Sequence, residues 1–407
     1  MKYIVLLGDG MADYPVPELG GSTPLEVADK PYMDFLAQHG VAGMVRTVPY
    51  GMPPGSDVAN LSVIGYNPEV YYTGRSPLEA ASIGVKLAGD DIAFRCNLVS
   101  LSEQEDNYCE RYMLDYSSDE IETKEAAILI AEVQSYLQSE EISFYPGVSY
   151  RHLMVWQGGL EKMTTTPPHD ISERQITSYL PEGLGGEVLL TMMAASYKFL
   201  SQHPINLDRK AKGLKPANSI WLWGQGRKPE LPLFHRKYGL RGAMVSAVDL
   251  TKGLGICAGL QVIEVPGATG NINTNFEGKA EAALKCLHQG CDFVYIHVEA
   301  PDEAGHRGEL ETKIKAIEAI DNRVLKPLLD GMSEFEDFKI MLLPDHPTPM
   351  SIRTHVDDPV PFVIYHHSRP HKSGISSYCE ETARNQEWLI EKGYTLMSIF
   401  LGETDQD

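Results

Sequence analysis

The chain has 407 residues, 43% of them hydrophobic and 22% charged, which is enough for two domains with a large core and unlike a disordered or fibrous composition. A formal net charge of -21 and a pI near 5.0 exclude a surface built for nucleic acid or anionic membranes, since either needs a basic stripe. A small anionic substrate stays possible where cations gather locally. The six cysteines, Cys96, Cys109, Cys257, Cys286, Cys291 and Cys379, form no C-x-x-C pair, so reduced buried thiols are expected rather than a zinc knuckle or a disulfide framework. The first apolar run is too short for a signal peptide and no run reaches about 18 apolar residues, so a soluble cytoplasmic protein is expected.

Residues 3–7 are a continuous apolar run of the kind found in strands buried on both faces, and they end in Gly8-Asp9-Gly10. A carboxylate leaving the C-terminal end of a central strand stands where open α/β sheets place their ligands; the plain alternative is an aspartate in a turn. Residues 31–39 follow as a helix opened by Pro31. A loop rich in Pro and Gly then delivers Ser56 to the head of a short helix. Free N–H groups and partial positive charge there suit a phosphate ester or an alkoxide on that serine, although serine is also a common N-cap. Arg75 leads into another short helix and is available to an anion, or is an ordinary surface arginine.

From about residue 92 the texture changes. Strands over 92–100 and 150–157 and helices over 119–139 and 189–203 predict an inserted α+β domain at residues 100–215, leaving 1–99 and 216–407 as one discontinuous domain. Arg151, His152, His169 and Asp170 are its candidate functional groups, each with a structural reading as well. Residues 218–222 return to buried-strand texture and end in Gly224-Gln225-Gly226-Arg227, which lacks the third glycine and the acidic residue of a dinucleotide fingerprint. Further strands over 239–248 and 261–265 and a helix over 276–289 continue a βα series, which argues a mainly parallel sheet with helices on both faces.

Residues 292–300 read as a buried strand. Pro301 opens a helix that would put Asp302 and His306 on one face, a pair able to grip a divalent cation. After a helix over 309–329, residues 339–343 end at Pro344-Asp345-His346-Pro347, and His355 follows in a polar loop before a last core strand over 360–365. His366, His367 and His371 read as a solvated loop, and residues 380–392 as a terminal helix. Three strands ending near Asp9, Asp302 and Asp345, with His306, His346 and His355 alongside, form a ligand set large enough for two cations. Such a pair suits phosphoryl transfer. With no thiolate ligands, Mn or Zn comes first, and Mg and Fe stay open.

The segments Gly8-Asp9-Gly10-Met11-Ala12-Asp13, Pro54-Gly55-Ser56-Asp57-Val58-Ala59-Asn60, Pro167-Pro168-His169-Asp170 and Ala300-Pro301-Asp302-Glu303-Ala304-Gly305-His306, with Asp345-His346 and His355, resemble the archaeal-type, cofactor-independent phosphoglycerate mutases of the alkaline phosphatase superfamily. The likeness runs over nearly the full chain. It implies two divalent metal ions, one held by Asp302, His306 and His355 and the other by Asp9, Asp345, His346 and the Ser56 hydroxyl. It also implies interconversion of 3-phosphoglycerate and 2-phosphoglycerate, a phosphorylated carboxylate, through phosphoserine at Ser56, with no 2,3-bisphosphoglycerate. The inserted domain is expected to close over the site, and Arg75, Arg95, Arg151, His169, Asp170 and Arg227 to grip substrate. The sibling reading is an ATP-dependent homoserine kinase of threonine biosynthesis, towards which Gly8 leans, since many archaeal mutases would carry proline there. A phosphatase, a phosphopentomutase, or a metal-binding structural or regulatory protein on the same fold completes the alternatives. The oligomeric state is not legible.

Overall fold

The computed structural model describes residues 1–402. The chain forms two compact units, Met1–Tyr72 with Glu230–Asp407, and Thr73–Pro229. The first is built on an eight-stranded sheet in the order Gln261–Ile263, Gly242–Val245, Phe293–Val298, Lys2–Gly8, Phe338–Leu343, Val360–His366, Val41–Val45 and Leu389–Ile390. All neighbouring pairs are parallel except the two made by Val360–His366. The central strands are apolar on both faces because both are covered. Ile4, Leu6, Val294, Ile296, Ile340 and Leu342 meet the helices Pro31–His39, Phe276–His288 and Leu310–Ile320. Tyr295, on the opposite face, bonds to Asn60 of the helix Ser56–Val63.

Register decides where the chemistry goes. Leu7 lies beside both His297 and Leu343, so three adjacent strands release the chain at one level of the C-terminal edge. Asp9, the helix Ala300–Arg307 and Asp345 all follow there, at the edge where parallel sheets place ligands. Pro301 lies in the first turn of that helix and Gly308, at φ 71°, ends it, the usual division of labour between the two residues.

The second unit has its own antiparallel sheet, in which Ile92–Leu101 pairs with Arg151–Trp156 on one side and Ser219–Arg227 on the other. The helices Thr123–Leu137 and Gly186–Leu200 bury their apolar stripes, including Leu129, Val133, Leu189 and Met193, against Phe94, Leu98, Met154 and Leu222. This unit is wider than residues 100–215. The strand beginning at Ile92 is central to its sheet and the strand ending at Arg227 pairs with it, so residues 218–222 belong here and not to the parallel sheet. Gly224 and Gly226 lie within that last strand.

Three other expectations change. The helix expected over 380–392 spans only Glu380–Arg384; Glu387 takes a left-handed φ of 53°, the chain then adds Leu389–Ile390 to the sheet edge, and the last helix is Leu396–Leu401. The long helix over 309–329 is interrupted by a π segment, Asp321–Leu325, just before Pro327, whose missing N–H disrupts the regular ladder. Cys286 and Cys291 are joined by a disulfide with their Cα atoms 5.6 Å apart, because the turn after the Phe276–His288 helix folds back and the Cys291 N–H donates to the Cys286 carbonyl at 3.1 Å. Cys96, Cys109, Cys257 and Cys379 stand outside that disulfide. No helix among the described residues is long and apolar enough to cross a membrane.

Candidate active site

Asp302 and His306 meet as their four-residue spacing requires, with His306 Nε2 3.2 Å from Asp302 Oδ2. His355 arrives from the loop before the antiparallel strand and closes a triangle, its Nε2 3.3 Å from Asp302 Oδ1 and 2.8 Å from His306 Nε2. Asp9, Asp345 and His346 form a second group, with His346 Nε2 3.6 Å from Asp9 Oδ1 and 3.4 Å from Asp345 Oδ2. The two groups adjoin, since the rings of His346 and His355 are centred 4.0 Å apart. Ligand atoms of Asp9, Asp345 and His346, and those of Asp302, His346 and His355, lie within 4.8 Å of one another.

Ser56 is not an N-cap. Gly55 caps the helix Ser56–Val63 in an extended conformation, so the serine is the first helical residue. Its Oγ lies 3.1 Å from His346 Nε2, in the field of the helix N-terminus. Every metal-ligand candidate and Ser56 therefore converge in the first unit.

The charges reveal a strained cluster. Burial, added to by the like charges of Asp345 and Asp302, pushes the Asp9 carboxyl well above the usual carboxylate range. Burial acts on Asp302 in the same sense, but the hydrogen bonds and positive charge of His306 and His355 outweigh it and hold that carboxyl well below the usual range. His306 is shifted in turn to about 9, the pull of Asp302 exceeding the effect of burial. Asp9 Oδ1 is buried without a hydrogen-bond partner among the described residues. Three buried carboxylates, one with an orphaned oxygen 3.6 Å from His346 Nε2, are the donor set a divalent cation needs, because isolated buried negative charge is costly and a cation inverts that cost.

In the second unit, Arg75 and Arg95 clasp one carboxylate. Glu79 Oε1 is 3.0 Å from Arg75 Nε and Oε2 is 3.2 Å from Arg95 Nε. Burial alone would raise Glu79, but Arg95 and Arg75 together with Arg151 hold it below its ordinary value. Burial lowers Arg95 to about 10, and its guanidinium lies over the Trp223 ring at 4.7 Å. His169 approaches Trp223 edge-on at 5.4 Å and stands 3.6 Å from Asp170, both side chains about half exposed. Arg227 pairs instead with Glu161 at 2.8 Å. His152 is buried, pushed down to about 3 by that burial, and accepts the Gly147 N–H.

Residues 37–206 match the family model described as 2,3-bisphosphoglycerate-independent phosphoglycerate mutase. A probable 2,3-bisphosphoglycerate-independent phosphoglycerate mutase of Geobacter sulfurreducens is 53% identical over 401 residues, covering 98% of this chain and 100% of the relative. The chain belongs to this mutase family. A second relative with the same description, from Methanosarcina acetivorans, is 50% identical over 403 residues, with 98% of this chain and 100% of the relative covered. Among solved structures, a protein from Pyrococcus horikoshii is 28% identical with a TM-score of 0.82 over 100% of this chain and 98% of that one. The cofactor-independent phosphoglycerate mutase of Thermoplasma acidophilum is 26% identical with a TM-score of 0.65, at 99% coverage of both chains. The motif resemblance to cofactor-independent mutases thus holds over the whole length, and membership of the mutase family implies divalent metal ions at the site.

Around the mutase-family motifs stands a set of residues that the sequence reading left without a role. Asn60 Nδ2 donates to Asp345 Oδ2 at 2.8 Å, and the buried Tyr295 hydroxyl donates to Asn60 Oδ1 at 2.7 Å. Thr348 donates to Asp302 Oδ1 at 2.5 Å. His297 Nε2 lies 2.9 Å from Asp9 Oδ2, and Lys313 is buried against Asp13 at 2.6 Å. One signal was available for His297 and Tyr295: a polar group in a strand buried on both faces must find a partner.

Proposed function

We propose that this chain interconverts 3-phosphoglycerate and 2-phosphoglycerate through a phosphoserine formed on Ser56. The observation that carries the reading is the placement of Ser56 Oγ at a helix N-terminus, 3.1 Å from His346, beside carboxylates delivered by three neighbouring strands. Asp302, His306 and His355 would hold one divalent cation, and Asp9, Asp345, His346 and Ser56 Oγ the other. Oxygen and imidazole donors favour Mn or Zn, with Mg and Fe next. Bound there, the cations would lower the pKa of the Ser56 hydroxyl and neutralise the phosphoryl oxygens.

Ser56 Oγ forms a bond to phosphorus as the bond to one glycerate oxygen breaks, and the proton lost by the serine balances the one gained by the departing hydroxyl. The bound glycerate then offers its other hydroxyl and takes the phosphoryl group back, with no 2,3-bisphosphoglycerate required. Arg75, Arg95, Arg151 and Arg227, with His169 and Asp170, are the proposed grips on carboxylate, phosphate and glycerate hydroxyls. Guanidinium forks match such anions, and the clasp on Glu79 shows that Arg75 and Arg95 already hold a carboxylate between them.

The kinase reading leans on Gly8, but a Cβ at position 8 would meet the Met11 side chain, which gives that glycine a packing reason as well. Purified protein is expected to isomerise 3-phosphoglycerate and to leave homoserine with ATP untouched. Ser56→Ala should abolish both turnover and the phosphoserine seen by mass spectrometry of trapped enzyme; normal isomerisation by that variant sinks the mechanism.

A further inference from the structure

Among the described residues, His297 is the buried histidine of the eight-stranded sheet that the reaction leaves unused. It sits in Phe293–Val298 with no exposed surface, among residues that are otherwise apolar or aromatic, and Lys279 Nζ fixes its backbone carbonyl at 2.8 Å. Across the sheet, Ile296 is in register with Val245 and His297 with Leu7. Ser246, His297 and Asp9 therefore stand side by side where three adjacent strands end. His297 Nε2 is 2.9 Å from Asp9 Oδ2, and Nδ1 is 3.3 Å from Ser246 Oγ.

The direction of these bonds follows from a fourth group. Ser246 Oγ already accepts the Val248 N–H at 3.0 Å, which leaves its own hydrogen free to donate to His297 Nδ1. The ring then carries its proton on Nε2 and donates it to Asp9 Oδ2. Asp9 Oδ2 is occupied by that bond, whereas Oδ1 has no hydrogen-bond partner among the described residues and lies 3.6 Å from His346 Nε2. The order Ser, His, Asp is that of a nucleophilic triad, but Ser246 is only 3% exposed and its hydroxyl is engaged on both sides. It has no route to substrate.

We infer that His297, with its tautomer set by Ser246, is a positioning residue that fixes the Asp9 carboxylate plane so that Oδ1 alone faces the second cation. This rests on the two-cation reading proposed above. A ligand carboxylate whose other oxygen is tied down enters the metal already oriented, and loss of such a tie commonly weakens metal affinity by about 10–100-fold.

The test is Mn²⁺ binding to the chelator-stripped, full-length protein, followed by calorimetry and by the electron paramagnetic resonance of free Mn²⁺. Wild-type protein should take up two ions. His297→Leu should weaken one of the two steps by about 10–100-fold and leave the other within about twofold. His297→Gln, which returns an N–H donor at similar reach, should recover most of the loss. Ser246→Ala, a mild change that keeps the fold in hand should His297→Leu fail to fold, should weaken the same step by about threefold or more. Two wild-type steps in His297→Leu, or in Ser246→Ala, overturn the inference while leaving the two-cation reading intact. Equal weakening of both steps in step with a lowered melting temperature also overturns it, as the mark of a merely structural role. Wild-type protein that takes up no Mn²⁺ overturns the metal reading itself.

Discussion

Lys313 offers the sharpest test of how the site is braced. Its ammonium has no exposed surface and donates to Asp13 Oδ2 at 2.6 Å, to the Thr348 carbonyl at 2.8 Å and to the Ala12 carbonyl at 3.4 Å. One cation thus joins the loop after the first strand, which carries Asp9, to the loop that carries Asp345 and His346. Lys313→Met fills a similar volume but strands the buried Asp13 carboxylate, which keeps only the N–H groups of Tyr14 at 2.8 Å and Met350 at 3.0 Å. Breaking a buried pair from one side costs about 3–5 kcal/mol, a large share of the ~5–15 kcal/mol that holds a typical domain together. Calorimetry should therefore place the melting of the variant roughly 10 °C or more below wild type. Asp13→Asn in the same chain removes the stranded charge and keeps an oxygen for both amides, so the double variant should regain about half of the loss or more. A melting point within about 1 °C of wild type for Lys313→Met, or loss in the double variant equal to the sum of the single ones, refutes the brace.

Two further outcomes follow from the same geometry. Chelation should lower the melting temperature and added Mn²⁺ should restore it, since a ligand at 100 times its Kd stabilises the folded state by about 2.7 kcal/mol per site; a melting point indifferent to chelator contradicts the metal reading. Asp321 gives a pH dependence away from the site. Its carboxylate caps the Pro31–His39 helix by accepting the Met33 N–H at 2.7 Å, while burial pushes its pKa from 3.8 to about 6. The protonated form is favoured by folding, so its contribution is fully present below about 3.8 and is lost as pH rises through about 6. Asp321→Asn lacks that titration, and its stability relative to wild type should therefore improve between pH 4 and pH 7. A constant difference between the two proteins across that range rules the assignment out.

What could be read in advance follows from the kind of signal each residue leaves. Asp302 and His306 are four apart on a helix opened by Pro301, and Asp9 and Asp345 close apolar runs, so local pattern was enough to bring them to one sheet edge. The extent of the second unit was not local. Ile92–Leu101 and Ser219–Arg227 look like any buried strands until their pairing with each other, more than a hundred residues apart in the chain, takes them out of the parallel sheet. The Leu389–Ile390 strand was hidden for a related reason, since a two-residue strand exists only by virtue of the Val41–Val45 edge it joins.

The supporting residues were the hardest to see, and the structure explains why they had to be there. A divalent cation takes up one face of each carboxylate, so the other oxygen needs a donor of its own in a buried site. Asp302 Oδ1 receives Thr348, Asp9 Oδ2 receives His297, and Asp345 receives Asn60 at Oδ2 and the backbone N–H groups of Gly10 and His346 at Oδ1. The side-chain donors Thr348, Asn60 and His297 come from a loop, a helix and a strand, and nothing in their spacing links them. Asn60 is held by Tyr295 and His297 by Ser246, so the strand that leads into Asp302 also supplies, two residues apart, the means of orienting both Asp345 and Asp9. The Phe293–Val298 strand therefore contributes to all three carboxylates, and a change in its register by a single residue would turn Tyr295 and His297 to the opposite face and remove the ties to Asn60 and to Asp9 at once.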